Sequence, residues 1–236
     1  MPRSIETLVE EQVRRWQLLR RKKEAEEKPP VVTVTGQHGA HGDELSRRLA
    51  SDLGFDHFDR EIIHLIADSA RLSERVVAAL DQKKREVLAG WLVGFGREHA
   101  FSPADYRYHL ARVIGAIAQQ GRAVILGRGA NILLRGTALR VLAVAPFETR
   151  VRAVMEDEGL SERDARRRIE AVEADRHAFI LMHYRSEFGE PTAFDLVVNT
   201  GDLGIDGAST VAQAALSAKL SRVQTAGPWP THARFG

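Results

Sequence analysis

Apolar and polar positions change period several times along the chain, and each change marks an element. Val31 to Val34 is a β-branched run with no polar alternation beyond Thr33, which predicts a strand buried on both faces. From Asp43 to Leu53 the apolar residues recur at Leu45, Leu49 and Leu53, the spacing of one helical face. Between them the glycines at 36, 39 and 42 predict a tight turn joining strand to helix. Gly54 closes that helix, Phe55-Asp56-His57-Phe58 is a short extended piece, and a further helix starts at Arg60.

Only helical patterns follow from Leu72 to Gly121, divided at Ser102-Pro103 by a helix through Tyr106, Leu110, Val113, Ile114 and Ile117. Apolar runs at Ala123–Leu126 and Leu139–Val144 predict two more strands, ending at Gly127-Arg128-Gly129 and Ala145-Pro146. A fourth strand, Phe194 to Asn199, precedes a turn at Gly201. Helices are expected at Phe147–Glu156, Ser161–His177 and Ala208–Leu220, the second opened by Ser161-Glu162-Arg163-Asp164, a capping box with Asp in place of Glu. Strands that alternate with helices in this way predict an α/β fold around a parallel sheet. Residues 1–30 form a charged helical arm with a narrow stripe of Ile5, Leu8, Trp16 and Leu19, ended by Pro29-Pro30. That stripe is expected to lie on the domain or on a second subunit, which makes a homodimer through the arm an expectation. The domain spans 31–223, and 224–236 has the composition of a flexible tail.

Composition narrows the class of protein. At 236 residues, 44% hydrophobic and 28% charged, the chain suits one globular domain with a lobe or insertion. A net charge of +2 is too slight a bias for a nucleic-acid surface, although the sequence pI near 9.1 leaves room for a local basic site. The absence of cysteine excludes disulfides and thiolate metal sites. No apolar stretch approaches the roughly 20 residues of a membrane span, so no membrane partner and a cytoplasmic location are expected.

Candidate chemistry gathers at strand ends, where parallel sheets place their ligands. A glycine turn between strand and helix is an anion site, because unpaired backbone N–H groups and the helix dipole converge there. Against the phosphate-loop pattern Gly-x-x-x-x-Gly-Lys-Ser/Thr this turn is altered: counted from Gly36, His41 takes the second glycine, Gly42 the lysine and Asp43 the hydroxyl. Two other clusters follow strands, Asp59-Arg60-Glu61 and Gly127-Arg128-Gly129. A helical one contains Arg163, Arg166, Arg167, Arg168, Asp175 and Arg176. Amides, guanidiniums and a few carboxylates in one cleft are what phosphoryl transfer requires, since it is mostly positioning and charge neutralisation. Plainer readings stand beside these. Asp59 is a natural helix cap, Arg163 to Arg168 a solvated helix face, and His38 and His41 polar turn residues without a third metal ligand. Trp91, Phe95, Tyr106 and Tyr108 read as core or subunit contacts.

In order and spacing these motifs resemble the divergent cytidylate kinase-like branch of the P-loop nucleoside monophosphate kinases, over roughly Val31 to Leu220. The resemblance rests on Gly39, Gly42 and Glu44, on Phe58-Asp59-Arg60-Glu61-Ile62-Ile63, and on Val124-Ile125-Leu126-Gly127-Arg128-Gly129-Ala130-Asn131. It continues through Ala145-Pro146-Phe147-Glu148-Thr149-Arg150-Val151, Glu158-Gly159-Leu160-Ser161 with Asp175-Arg176, and Phe194 to Thr200. It implies a three-layer P-loop nucleoside-triphosphate-hydrolase-like fold with a helical insertion at about 72–121 and a lid at about 157–190. Gly36, Gln37, His38, Gly39, Ala40, His41, Gly42, Asp43 and Glu44 would cradle ATP with Mg2+. Asp59 and Arg60 would meet a CMP-like acceptor, and Arg128 would hold the acceptor phosphate. Arg150 with Arg152, and Asp175 with Arg176, would begin and end the lid, which makes Arg128, Arg150, Asp175 and Arg176 the catalytic candidates.

His41 and Asp43 depart from the branch, which has Gly and Arg at these places. A carboxylate beside a triphosphate repels it by several kcal/mol unless magnesium or an arginine intervenes, and Asp43 is itself a candidate magnesium ligand. The alternative reading is therefore a nucleotide-binding or regulatory module that kept the fold and lost the chemistry. A nicotinamide-dependent oxidoreductase is the third reading, from Thr35-Gly36 followed about twenty residues on by Asp56 or Asp59. The spacing of Gly36, Gly39 and Gly42 does not fit Gly-x-Gly-x-x-Gly, and no Tyr-x-x-x-Lys pair occurs.

Overall fold

The computed structural model describes residues 30–68, 82–92 and 103–226, together with 7, 10–14, 73, 76–78 and 80. Five strands form one parallel sheet: β1 (Val31–Gly36), β2 (Asp56–Phe58), β3 (Ala123–Leu126), β4 (Leu139–Val144) and β5 (Leu196–Asn199), in the order β2-β3-β1-β4-β5. The short extended piece around His57 is thus an edge strand. Central β1 is in register with both neighbours, Val34 lying opposite Leu126 on one side and Val141 on the other. Its continuous β-branched run is accounted for by burial on both faces, since Val31 through Thr35 are all buried.

Alternate side chains feed two cores, which makes three layers. Val32, Val34, Val124, Leu126 and Val141 face helix α1 (Gly42–Leu53) and the last helix α8 (Thr200–Ala226), meeting Leu45, Leu49, Ala208, Ala212 and Leu216. Val31, Ala123 and Ile125 face helices α2 (Arg60–Asp68), α3 (Gln82–Leu92), α4 (Pro103–Gln120) and the single turn α5 (Ala130–Leu133), through Ile63, Leu88, Ile114, Ile117 and Leu133 among others. Val13 of the N-terminal arm packs on this second core, and Gln12 donates to the Asp56 carboxylate. A third, smaller cluster of Val151, Val154, Ala165 and Ile169 joins α6 (Phe147–Glu158) to α7 (Glu162–Tyr184). Each fully buried leucine, such as Leu45 or Leu49, contributes about 2 kcal/mol.

Several boundaries move from their expected places for local reasons. Helix α8 begins at Thr200, so Gly201 is helical rather than a turn: the Asn199 side chain accepts the Gly201 N–H at 3.0 Å and acts as a cap. The only break comes at Gly204, φ 64° and ψ 176°, and the helix continues to Ala226, into the segment expected to be tail. Helix α7 runs seven residues past His177, because Phe179, Ile180 and Tyr184 still have a core to pack on. Its capping box closes through side chains, with Ser161 Oγ accepting the Asp164 N–H at 3.2 Å and donating to the Asp164 carboxylate at 2.6 Å. The apolar stripe of the arm, the side chain of Trp91, Phe95 and the tail beyond residue 226 lie outside the described residues.

Asp195 pins the far edge of the sheet. Its carboxylate accepts Arg140 N–H at 2.9 Å and the Arg140 guanidinium through both oxygens, and it also takes the Lys219 ammonium. Burial pushes the carboxyl up, but these donors outweigh it and hold it down at about 2. Lys219 is itself lowered by burial in spite of the pair, so the bidentate Arg140 contact is the stronger anchor. A carboxyl depressed in the folded state stabilises above its unfolded value near 3.8 and loses that contribution as pH falls toward about 2. We expect Asp195→Asn to cost about 1 kcal/mol at pH 7, allowing for solvent screening, and to lose most of that cost by pH 2; urea titrations at both pH values measure this.

Candidate active site

The turn between β1 and α1 is a cradle of free amides. Gln37 N–H goes to Ala143 and Ala40 N–H to Gln37, whereas the N–H groups of His38, Gly39, His41 and Gly42 have no acceptor among the described residues. Four unpaired donors at a helix N-terminus bind an anion without any side chain. The backbone must be tight to achieve this. A Cβ on Gly36 or on Gly42 would lie 3.0 Å from the other's Cα, and one on Gly39, φ +79°, would stand 2.6 Å from the Arg150 carbonyl oxygen. His41 takes the left-handed region at φ 47° with a β-carbon, a strained backbone of the sort that collects at functional turns.

Arg150 supports the cradle from beneath. Its guanidinium donates to Ala145 O and His38 O, both at 3.2 Å, and to Glu173 at 2.7 Å, tying β4, the turn and α7 together. It is 6% exposed and does not line the cleft, so the structure makes it a strut for the turn. His38 lies 3.3 Å from Glu158; burial and then Arg176 lower its pKa, against the pull of Glu158, so the imidazole stays neutral near pH 7.

Above the turn opens a cleft of about 830 Å3, bounded by Thr35, Gly36 and Asp43 on one rim and Gly127, Arg128 and Gly129 on the other. Those three residues have φ values of 71°, 54° and 72°, a run of left-handed conformations that only the flanking glycines tolerate easily. A Cβ at Gly127 would collide with the Arg60 side chain, and one at Gly129 with the Tyr184 ring. The turn aims Arg128 across α2, where it donates to Arg60 O at 3.1 Å and lies 5.4 Å from the Phe179 ring centroid.

Helix α7 holds both rims. Arg176 donates to Gly36 O at 2.7 Å, and Tyr184, about 12 Å further along the helix, donates to Arg128 O at 2.8 Å. Burial and then Arg60 pull the Arg176 pKa down to about 10 against Glu173 and Asp43, so it remains charged but in surroundings that favour a further anion. Arg47, Arg60, Arg128 and Arg176 line the cleft together with Asp43, Asp59, Glu61, Asp175 and Glu187. The anomalous Asp43 carboxylate is paired with Arg47 at 2.9 Å. Burial pushes Asp43 up, but the Glu44 N–H and Arg47 overcome this and keep it below the usual carboxylate range. Asp59 faces the cleft and also caps α2, accepting the Glu61 N–H at 2.9 Å.

The model of the cytidylate kinase-like family matches residues 31–202, which covers every element that builds this cleft. The chain belongs to the cytidylate kinase-like family. It is 26% identical over 186 residues to cytidylate kinase of Thermococcus kodakarensis, covering 79% of this chain and 87% of that one. To the cytidylate kinase of Thermococcus sibiricus it is 27% identical with the same coverage. A crystal structure of an uncharacterized protein from Eubacterium ventriosum superposes with a TM-score of 0.58 at 15% identity, over 80% of this chain and 99% of that chain, which bears on the fold alone. In this family member the order β2-β3-β1-β4-β5 and the glycine turn after β1 make a P-loop-type α/β architecture.

Among the residues singled out by sequence, Gly36, Asp43, Asp59, Arg60, Arg128, Asp175 and Arg176 line the cleft. Gln37, His38, Gly39, Ala40 and His41 form the turn behind it, Gly42 and Glu44 open α1, and Arg150 lies beneath. Sequence reasoning missed Arg47, His57, Glu173, Phe179 and Tyr184. Only Arg47 had a usable signal, as the residue one helical turn after Asp43. The described residues hold no group of three or more His, Cys, Asp or Glu side chains able to chelate a metal. Arg150→Met should lower stability by about 3 kcal/mol by leaving the Glu173 carboxylate and two carbonyls unpaired. Adding Glu173→Gln should recover part of that loss, and urea denaturation of both variants measures it.

Proposed function

We propose that this protein transfers the γ-phosphoryl group of ATP to a nucleoside monophosphate, with CMP the first acceptor to test. The observation that carries the reading is one helix, α7, bonded to the glycine turn through Arg176 and to the Arg128 turn through Tyr184. Two anion-binding rims that face one cleft and share a support suit a donor and an acceptor phosphate brought into line.

The free N–H groups of His38, Gly39, His41 and Gly42 fit the donor phosphates, and no Cβ at Gly39 intrudes on that turn. Arg128 would hold the acceptor phosphate, with Asp59 and Arg60 beside it. An oxygen of that phosphate attacks the γ-phosphorus while the bond from phosphorus to the β–γ bridging oxygen breaks, giving a diphosphate and ADP. Arg176, charged and bonded to Gly36 O at the cleft rim, offsets the negative charge spread over the moving phosphoryl group. Magnesium would enter with ATP and neutralise the β- and γ-phosphates, with Asp43 as the side chain placed to hold it once Arg47 yields. The lid of this scheme is residues 157–190, which are α7 with the segments on either side of it.

One observation favours a second reading, nucleotide binding without turnover: the Asp43 carboxylate stands in the turn itself. Incubation with Mg-ATP and each common monophosphate separates the two. We expect ADP and a nucleoside diphosphate in equal amounts, with Arg128→Ala and Arg176→Ala each lowering kcat/KM about 100-fold. Thermal stabilisation by ATP with no diphosphate from any acceptor would give the non-catalytic reading.

A further inference from the structure

Strand β2 carries one side chain that the scheme above leaves unused. His57 lines the cleft together with Asp43, Arg47 and Asp59, and its Nε2 lies 2.8 Å from Ser46 Oγ. Ser46 sits on α1, fully buried, and its Oγ also lies 2.7 Å from the carbonyl oxygen of Asp43. The hydroxyl has a single proton, and a carbonyl oxygen can only accept, so that proton goes to Asp43 O. The contact with His57 then requires the imidazole to donate from Nε2. A neutral ring that donates from Nε2 presents a lone pair at Nδ1.

Nδ1 has no hydrogen-bond partner among the described residues, and it is absent from the side-chain atoms sealed away without one, so it remains accessible on a side chain that lines the cleft. The neutral state is reinforced by burial, which lowers the His57 pKa first of all, with Asp59 and Asp43 opposing and Arg47 assisting. Arg47, Asp43 and Asp59 are the charged groups around the ring, and none supplies a donor to Nδ1.

We infer that His57 is a specificity-determining residue whose Nδ1 accepts a hydrogen bond from a hydroxyl or amino group of the phosphoryl acceptor, with Ser46 fixing the ring in the tautomer that allows it. The inference rests on the proposed acceptor site. It implies an acceptor that offers a hydrogen-bond donor within reach of β2, and it disfavours one that offers only oxygens without protons there, because two lone pairs would then face each other.

Asn and Gln separate the two ring nitrogens. The side-chain oxygen of His57→Asn reproduces the Nδ1 acceptor but cannot reach Ser46, whereas the amide of His57→Gln reaches Ser46 and leaves the Nδ1 position empty. CMP binding to each protein is measured by calorimetry in the presence of a non-hydrolysable ATP analogue, with melting temperatures to confirm folding. We expect His57→Gln to weaken CMP at least tenfold with ATP-analogue affinity unchanged, and His57→Asn to stay within about threefold of wild type. Equal CMP affinity in wild type and His57→Gln, or a loss confined to the ATP analogue, would overturn the inference and leave the kinase reading standing. Failure of wild type to bind any monophosphate would overturn both.

Discussion

The functional surface depends on the Arg150 guanidinium, which makes three bonds beneath the glycine turn. An anion cradle works only if its N–H groups point outward together, and nothing in the turn itself enforces that, since the turn has given up most of its internal hydrogen bonds to keep them free. The shape is imposed from outside. Arg150 takes the carbonyl of His38 on one side and that of Ala145 on the other, Thr200 takes the carbonyl of Ala40 at 2.9 Å, and Gly39 lies against the Arg150 backbone with no room for a side chain. A lysine could not replace this, because a single ammonium lacks the planar fork that serves two carbonyls and a carboxylate at once. The same guanidinium holds Glu173, so the helix that reaches over the cleft is fastened to the floor of the turn that it covers.

That fastening changes what Asp43 means. In isolation a carboxylate at the start of α1 opposes any phosphate bound there. Within the structure it is one of five carboxylates balanced against four guanidiniums along the cleft, and Arg47 already pairs with it. That pair is half exposed and individually weak. Under the proposed function a nucleotide would compete with Asp43 for Arg47 and would not meet a bare carboxylate. Arg176 stands in the same cleft with its pKa lowered to about 10 by burial and then Arg60, surroundings that favour a nearby anion.

Most of the architecture was legible because period and composition are local. The β-branched run at Val31–Val34, the apolar runs at Ala123–Leu126 and Leu139–Val144, and the leucine spacing of α1 each identify an element without reference to the rest of the chain. The glycine turns were legible for the same reason, as Gly-Arg-Gly and Gly36 to Gly42 announce backbone that a side chain would obstruct. The errors arose where a polar side chain at a helix start imitates a turn, as with Asn199 and Thr200 before α8, and where a helix continues because a distant core awaits it, as with Phe179 and Tyr184 at the end of α7.

The site was legible only as far as its backbone. Which arginine faces the cleft and which one supports it depends on contacts spanning more than a hundred positions, from His38 to Arg150 and from Gly36 to Arg176, and no spacing in the chain encodes them. Arg150 and Arg176 look alike as sequence, each on a charged helix. In the fold one is a strut, held by two carbonyls and a carboxylate, and the other keeps most of its donors uncommitted after a single bond to Gly36. A guanidinium whose donors are consumed by the protein has nothing left to offer a moving phosphoryl group, so counting the free donors on each arginine separates structure from chemistry more surely than the motif in which it stands.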